Sequence, residues 1–309
     1  MSVKHIRYSI TIIIILILVY YITHHHSDFS ILGNLSIKDI VISYCLYFLF
    51  LIISSSLNFL VFSHKNKEKI NKVKFLKIFI IARFLSKIIP QSGNIFMARE
   101  LKNKFGLDYS KFLERIISFY LIDILFVISL SLIIFLVLDS NIMIGGYNLS
   151  ILLLSLLTAI TISLIILNLY GERFSVTKSY IRKINEIINN TLNILKDYHQ
   201  VFRILILITL AFIIVNATYA TIISGLNIKL NITLIVVFTI LFRLSHILNI
   251  TPGNIGINEF IFAFVGSYLN IGFSAGMLIC MIYRFIAYSS IAVYGIVLGG
   301  LDLIKNNKG

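Results

Sequence analysis

Residues 246–259 read HILNITPGNIGINE and interrupt a long apolar segment near its middle. Pro252 has no amide hydrogen, and Gly253 and Gly256 are poor helix formers, so the helical hydrogen-bond ladder should break here. Within a bilayer no water replaces the lost bonds, and a broken helix is tolerated there mainly where it lines a cavity or a site. The stretch therefore predicts two half-helices that meet at a functional position.

A second interruption has a similar composition. Pro90 is the only other proline of the chain, and it lies in residues 84–100, FLSKIIPQSGNIFMARE, with Gly93 three positions after it. An apolar arm precedes this proline and a basic, amphipathic arm follows it. We expect broken or re-entrant helical hairpins at both places, over residues 75–105 and 232–270.

Composition defines the class of protein. Apolar residues make up 58% of the 309 residues, charged residues only 13%, and the mean hydropathy is +0.95. These values are typical of an all-α polytopic membrane protein. The longest polar stretch is too short to bury a core of its own. No nucleotide-binding glycine loop, metal-ligand spacing or nucleophile–base pattern occurs, so we expect no enzyme activity, no cofactor and no metal.

The apolar runs predict about six full spans and the two broken hairpins, hence eight membrane segments in a single transmembrane domain, 1–309. The spans, in chain order, are residues 8–22, 40–62, 116–138, 149–169, 201–224 and 273–300. Residues 170–200 carry basic side chains among Ile and Leu at helical spacing. This linker is predicted to be an amphipathic helix on the cytoplasmic surface, with a solvated charged linker as the alternative.

Basic side chains are distributed asymmetrically under this topology. All but four of the 27 lysines and arginines fall on one side of the membrane or in the first hairpin; the four are Lys38, Lys229, Arg243 and Arg284. Positive residues favour the cytoplasmic side, so both termini should be cytoplasmic, in the inner membrane of a prokaryote. The charge is placed for a membrane surface, and nothing in it favours nucleic acid.

Span, broken hairpin and span recur in the same order in residues 40–138 and 201–300. The first set begins outside and the second begins inside, which is the signature of an inverted repeat. An arginine also follows each break near the start of the closing span, Arg115 in the first set and Arg284 in the second.

The motifs around the breaks resemble one membrane family. PGNIGINE at residues 252–259 and MIYRFIAYSSIAVYGIVLG at 281–299 resemble the Pro-Gly, Gly, Glu and Tyr-Arg motifs of the lysylphosphatidylglycerol synthase transmembrane, or flippase-like, family. The stretch GLDYSKFLERIISFYLIDI at 106–124, with Asp123, is similar to an earlier motif of that family. The resemblance implies translocation or handling of lipids, including aminoacylated phospholipids and hopanoid or polyisoprenoid-linked intermediates. It also implies that this chain, without the synthases' soluble aminoacyl-transferase domain, does not itself make the aminoacylated lipid.

The two breaks and nearby charges give candidate substrate-binding residues. Half-helices that end at a break expose backbone amides and positive helix ends, which suit an anionic head group. The candidates are Pro90, Gly93, Arg99, Arg115, Asp123, Arg243, Pro252, Gly253, Gly256, Glu259 and Arg284. The arginines would hold phosphate, and Glu259 would couple to protons or bind a cationic group. Alternatively, Arg284 or Arg243 pairs with Glu259 or Asp123 only to hold helices together.

The remaining cations of the first hairpin have a simpler interpretation. Arg83, Lys87 and Lys102 are expected to extend to the cytoplasmic interface and bind anionic lipid loosely.

Three functions agree with the sequence. The first is a flippase-like transporter of a phospholipid or a lipid-linked intermediate, with anionic membrane lipids as partners. The second is a secondary transporter of a small anion, and the third is a non-catalytic membrane partner of an envelope glycosyltransferase or aminoacyl-transferase. Neither the substrate nor the oligomeric state follows from the sequence.

Overall fold

The computed structural model describes residues 16–17, 19–63, 71–89, 91–138, 142–144, 146–175, 187, 191, 196–229, 231–248, 251 and 254–306. After a 3₁₀ helix at His26–Asn34, the α-helices with defined bounds are α1 Ile37–Ser63, α2 Lys72–Ile88, α3 Ser92–Phe105, α4 Tyr109–Val137, α5 Leu149–Ser175, α6 Tyr198–Gly225, α7 Ile232–Leu248, α8 Ile257–Tyr268 and α9 Phe273–Asn306. The all-α fold class is thereby confirmed.

Among the described residues, five helices are long and apolar enough to cross a membrane. They are Ile37–Ser63, Tyr109–Val137, Leu149–Ile166, Tyr198–Gly225 and Phe273–Gly295. Each coincides with an expected span, and the remaining one, residues 8–22, lies largely outside the described part. The number of spans and the inverted repeat stay predictions. Most of the linker at 170–200 is also outside the described part, and its first residues continue α5.

The apolar side chains of α5 lie on the outside of the protein. Ile151, Leu154, Ile162 and Ile165 are each more than half exposed. So many large apolar side chains on one exposed helix would be unfavourable in water, whereas in a bilayer they would contact lipid tails.

A short β-hairpin joins α4 to α5. Strand β1, Met143–Ile144, pairs antiparallel with β2, Tyr147–Asn148. Gly146 in the connection has φ +84°, a left-handed conformation that glycine adopts without strain.

The chain forms two compact units. The first contains Met1–Ile52, Leu76–Met97 and Ile213–Gly309, and it therefore includes both interruptions. Its core is aromatic: Tyr219 of α6 stacks on Tyr283 of α9 with ring centroids 4.6 Å apart, and Phe238 of α7 stacks on Phe262 of α8 at 4.9 Å. Four helices thus meet around these rings.

The second unit contains Ile53–Phe75 and Ala98–Phe212. Phe62 of α1 stacks on Phe112 of α4 with centroids 5.1 Å apart, and its carbonyl oxygen accepts a hydrogen bond from Arg115. The Gln200 side chain donates to the Leu60 carbonyl at 3.2 Å, which ties the start of α6 to the end of α1.

Two glycines bring helix backbones of the first unit into close contact. A Cβ on Gly93, in the first turn of α3, would lie 2.0 Å from the Ala82 carbonyl oxygen of α2. A Cβ on Gly276, in α9, would lie 2.3 Å from the Phe262 carbonyl oxygen of α8. A side chain at either position would push these helices apart. The two helices of the first interruption are therefore tightly packed against each other, and α8, which follows the second interruption, is tightly packed against α9.

Candidate functional site

The second interruption separates α7 from α8. Helix α7 ends at Leu248 and α8 begins at Ile257, so the break falls where the sequence predicts it. Pro252 and Gly253 lie outside the described residues. Asn254 and Gly256 have φ of 57° and 83°, and these left-handed conformations turn the chain into α8.

Glu259 caps the helix that follows the break. It is the third residue of α8, and its Oε2 accepts a 2.7 Å hydrogen bond from the Gly256 amide. The carboxylate therefore satisfies an amide that the helix start leaves without a partner, and it lies at the positive end of the helix dipole. Glu259 is only 6% exposed, so its negative charge needs a partner within the protein.

Arg284 of α9 is that partner. Its Nη1 lies 2.5 Å and 2.7 Å from the two oxygens of Glu259 and also donates to the Asn254 carbonyl at 3.0 Å. Its Nη2 donates to the Tyr288 hydroxyl at 2.5 Å. Arg284 thus joins α9 to both the connection and the first turn of α8, and it is itself 7% exposed.

The pair lies well inside a candidate span. Arg284 follows Phe273 by eleven residues in α9, whose described part Phe273–Gly295 is long and apolar enough to cross a membrane. A buried ion pair that far from either end of a span is costly to desolvate, and such residues usually serve a function.

A lysine lies beside this pair. The Lys87 ammonium, near the end of α2, is 4.8 Å from the centroid of the Tyr288 ring, and the Arg284 guanidinium carbon is 5.1 Å from the same ring. Arg83, one helical turn before Lys87, lies over the Phe79 ring, 5.0 Å from its centroid. Both side chains are partly exposed, and the interfacial position expected for them stays a prediction.

Arg243 approaches the same unit from α7. Its guanidinium carbon is 5.9 Å from the Phe50 ring of α1, and it interacts electrostatically with Tyr283. Tyr283 also interacts with Arg83 and contacts the Tyr47 ring edge-on at 5.9 Å.

Several buried polar atoms of this unit have no hydrogen-bond partner among the described residues. They include the hydroxyls of Tyr219 and Tyr283 and the Oδ1 of Asn258, which precedes Glu259 in α8. A buried polar atom without a partner is unfavourable unless water or a ligand reaches it.

The remaining predicted site residues are divided between the two units. Gly93 packs in the first unit, and Pro90 lies outside the described residues. In the second unit, Arg99 is exposed, Arg115 donates to the Phe62 carbonyl, and Asp123 is 5% exposed. Of the predicted site residues, the structure brings Glu259 into direct contact with both Arg284 and the Gly256 amide.

Sequence analysis missed two contributors to this arrangement: Lys87 and Tyr288. A signal was present, because Tyr288 follows Arg284 by one helical turn and therefore lies on the same face of α9. No comparable signal links Lys87 to Tyr288, since they are 201 residues apart in the chain.

Within the described residues, no group of three or more His, Cys, Asp or Glu side chains could hold a metal ion.

Five described helices of spanning length and apolar composition, one of them with many exposed apolar side chains, define a multi-pass α-helical membrane protein. The family model described as "Lysylphosphatidylglycerol synthase TM region" matches residues 8–295, and the chain belongs to this family. The resemblance of the break motifs is thereby confirmed. Neither a curated protein nor a solved structure matches the chain significantly.

Proposed function

We propose that this protein moves a phospholipid or a lipid-linked intermediate with an anionic head group across the cytoplasmic membrane. The observation that carries the proposal is the Glu259–Arg284 pair, which is buried beside a broken helix and well inside a candidate span. Membership of a family of lipid-related membrane domains supports a lipid as the substrate. The excess of lysine and arginine on one side supports cytoplasmic termini.

Glu259 occupies the position that a phosphate would take. Its carboxylate accepts hydrogen bonds from the Gly256 amide and from Arg284, and these donors would also bind a phosphate oxygen. An entering head group would therefore exchange with Glu259 instead of filling an empty site. After the exchange, Arg284 and the start of α8 would hold the phosphate, and Glu259 would be free.

This exchange would couple movement of the lipid to movement of a proton. A displaced carboxylate inside the membrane region is strongly disfavoured as an anion, so its release favours uptake of a proton. Return of the head group to the lipid phase would let Glu259 lose the proton and pair with Arg284 again. Transport would then depend on the proton gradient across the membrane.

Lipids that co-purify with the protein provide the first test. We expect the wild type to retain one anionic lipid class in excess over the bulk membrane. Arg284→Ala should lose that lipid because the main phosphate donor is gone. Glu259→Gln should keep it, because Gln still leaves Arg284 available and removes the competing negative charge. The measurement is mass spectrometry of lipids extracted from detergent-purified protein at matched amounts.

Matched controls come from the surface ion pair Lys104–Glu100, whose charged atoms are 2.7 Å apart. Lys104→Ala and Glu100→Gln change the same charges away from the break and should leave the lipid profile unchanged. An identical profile in wild type and Arg284→Ala would contradict the proposal, and the pair would then serve only to hold α8 against α9.

Movement itself is measured with fluorescent lipid in vesicles that contain the full protein. We expect the label to cross faster than in empty vesicles, and faster with a proton gradient than without one. A soluble anion that is taken up while labelled lipids stay in place would instead support a small-anion transporter. If neither moves, the proposal is contradicted and the role of a membrane partner for an envelope enzyme gains support.

A further inference from the structure

Two buried tyrosine hydroxyls without partners lie together in the first unit. Tyr219 of α6 and Tyr283 of α9 are 0% and 1% exposed, and neither hydroxyl has a hydrogen-bond partner among the described residues. Their rings stack with centroids 4.6 Å apart, so the two side chains lie side by side between α6 and α9. A buried hydroxyl without a partner costs free energy, so each of these needs an explanation.

Helix α8 adds a third such atom at the same place. Asn258 is 5% exposed, and its Oδ1 has no partner within the described part of the chain. Asn258 lies four residues before Phe262 and therefore on the same face of α8. The Phe262 ring contacts the Tyr219 ring, with centroids 6.0 Å apart, so this face of α8 is turned towards α6.

The ion pair lies next to these three atoms. Glu259 directly follows Asn258 in α8. Cys280 of α9 interacts electrostatically with both Glu259 and Tyr219, and Tyr219 also interacts with Arg284. The three polar atoms therefore lie beside the carboxylate that the proposed exchange would release.

Two more hydroxyls of this kind continue along α9. Ser290 and Tyr294 follow Tyr283 by seven and eleven residues, which places all three on one face of the helix over about 17 Å. Both hydroxyl oxygens are buried, and neither has a partner among the residues that the structure describes. By contrast Ser289, which lies on another face, donates to the Phe285 carbonyl at 2.5 Å.

We propose that water molecules are bound along this face of α9, hydrogen-bonded to Tyr219, Tyr283, Asn258 and Ser290, and that they pass protons to and from Glu259. Water suits these atoms because it both donates and accepts, and buried waters commonly satisfy polar groups that lack a protein partner. Each step moves one proton from an oxygen to the next oxygen, and no other bond changes. The inference rests on the proposed function and supplies a route for the proton that Glu259 would take up.

Other charged and titratable groups near Glu259 come from three helices: Arg284, Cys280 and Tyr288 of α9, Lys87 of α2 and Arg243 of α7. While Arg284 pairs with the carboxylate, no proton is needed to balance its charge. When a head group displaces the carboxylate, the bound waters would deliver one.

The first test detects the water directly. Full-length protein in detergent is irradiated with synchrotron X-rays, and mass spectrometry measures the oxygen added to each aromatic ring. Hydroxyl radicals form from a bound water and modify the side chain beside it, so Tyr219 and Tyr283 should be labelled although they are buried. Phe62 and Phe112 are the matched control, because they are as deeply buried and their side chains, stacked at 5.1 Å, carry no polar atom. Tyrosine labelling no greater than that of these phenylalanines would overturn the proposal.

The second test measures the proton route with fluorescent lipid in vesicles. Tyr283→Phe and Ser290→Ala should each lose most of the acceleration that a proton gradient gives the wild type. Lipid that co-purifies should be unchanged, because Arg284 and the Gly256 amide remain, and this also shows that the variants fold. Ser289→Ala is the matched control: its hydroxyl has protein partners, and the variant should keep the acceleration.

The outcomes separate this inference from the proposed function. Wild-type acceleration in both Tyr283→Phe and Ser290→Ala would overturn the proton route and leave lipid transport standing, as would wild-type movement that does not respond to the gradient. If the wild type moves no lipid, the proposed function fails and the proton role fails with it, whereas labelled tyrosines would still support bound water.

Discussion

The two interruptions of the first unit are closed by different forces. At the first, α2 ends at Ile88 and α3 begins at Ser92, and the contacts are backbone against backbone, with Gly93 beneath Ala82. At the second, eight residues separate α7 from α8, and Arg284 of α9 binds both Glu259 and the Asn254 carbonyl of the connection. The first break is thus held by close packing of its own two helices, and the second is held to a third helix by charge.

Because one break is held by a steric contact and the other by an ion pair, the two breaks suit different tasks. A steric contact has no exchangeable partner, so the first break is suited to holding α2, with Arg83 and Lys87, in a fixed place. An ion pair can exchange its carboxylate for another anion, so the second break is suited to binding. The first break would then supply charge to a site that the second one forms.

The largest expected effect comes from breaking the Glu259–Arg284 ion pair. Arg284→Ala leaves Glu259 buried without its partner, and such a change costs about 3–5 kcal/mol. The free energy of unfolding in detergent, measured by denaturant titration, should fall by this amount. Arg284→Ala combined with Glu259→Gln should recover part of the loss, because no unpaired charge is then buried.

The control for this prediction is Lys104→Ala, which breaks an exposed pair and should cost less than about 1 kcal/mol. If Arg284→Ala and Lys104→Ala were equally stable, the second break would not be held by charge.

A smaller effect is expected from a change at the close contact between α2 and α3. Gly93→Ala places a methyl group 2.0 Å from the Ala82 carbonyl oxygen, so α2 and α3 must separate. Overpacking of this kind costs about 1–3 kcal/mol. Gly93→Ala alters no charged group, so lipid retention should change only if the displacement of α2 moves Lys87. Thermal unfolding and lipid retention together measure both effects.

Gly33→Ala is the matched control, because a Cβ at Gly33 meets no atom within 4 Å. Equal melting temperatures for Gly93→Ala and Gly33→Ala would show that α2 and α3 do not touch as described.

The smallest effect concerns the Ser92 hydroxyl at the turn between α2 and α3. Ser92 Oγ lies 2.7 Å from the Leu85 carbonyl oxygen and 2.8 Å from the Ile89 carbonyl oxygen, in addition to the backbone amides that these oxygens already accept. Ser92→Ala removes this side-chain hydrogen bond and should lower the free energy of unfolding by about 1 kcal/mol. The comparison is Ser155→Ala in α5, whose hydroxyl donates to the Leu152 carbonyl of the same exposed helix. A loss as large in Ser155→Ala would rule out a specific role for Ser92.

The sequence predicts the positions of the helices well because a long apolar run and a proline each determine the conformation of the chain next to them. Its errors at helix ends have one cause: hydropathy marks the apolar part of a helix, whereas hydrogen bonding continues into polar turns. Helix α4 was expected from residue 116 and begins at Tyr109, and α9 was expected to end at residue 300 and continues to Asn306.

The side-chain contacts of the site were harder to predict from the sequence than the helices were. The Glu259–Arg284 pair was considered among four possible pairings, since both residues follow a break and each needs a partner. The hydrogen bond from Arg115 to the Phe62 carbonyl could not be anticipated, because every backbone oxygen is an equal candidate in the sequence. Lys87 was assigned to the interface for a similar reason: its contact with Tyr288 exists only after α2 packs beside α9.

The position of Arg284 in α9 has a consequence for the proposed transport. Eleven residues of this helix precede it, so it lies about 17 Å of helix from Phe273, and the helix continues on its other side to Asn306. A head group bound at Arg284 would therefore lie far from both ends of the helix. Under the proposed function, net movement in one direction would have to come from an ion gradient or from a reaction that consumes the lipid on the far side.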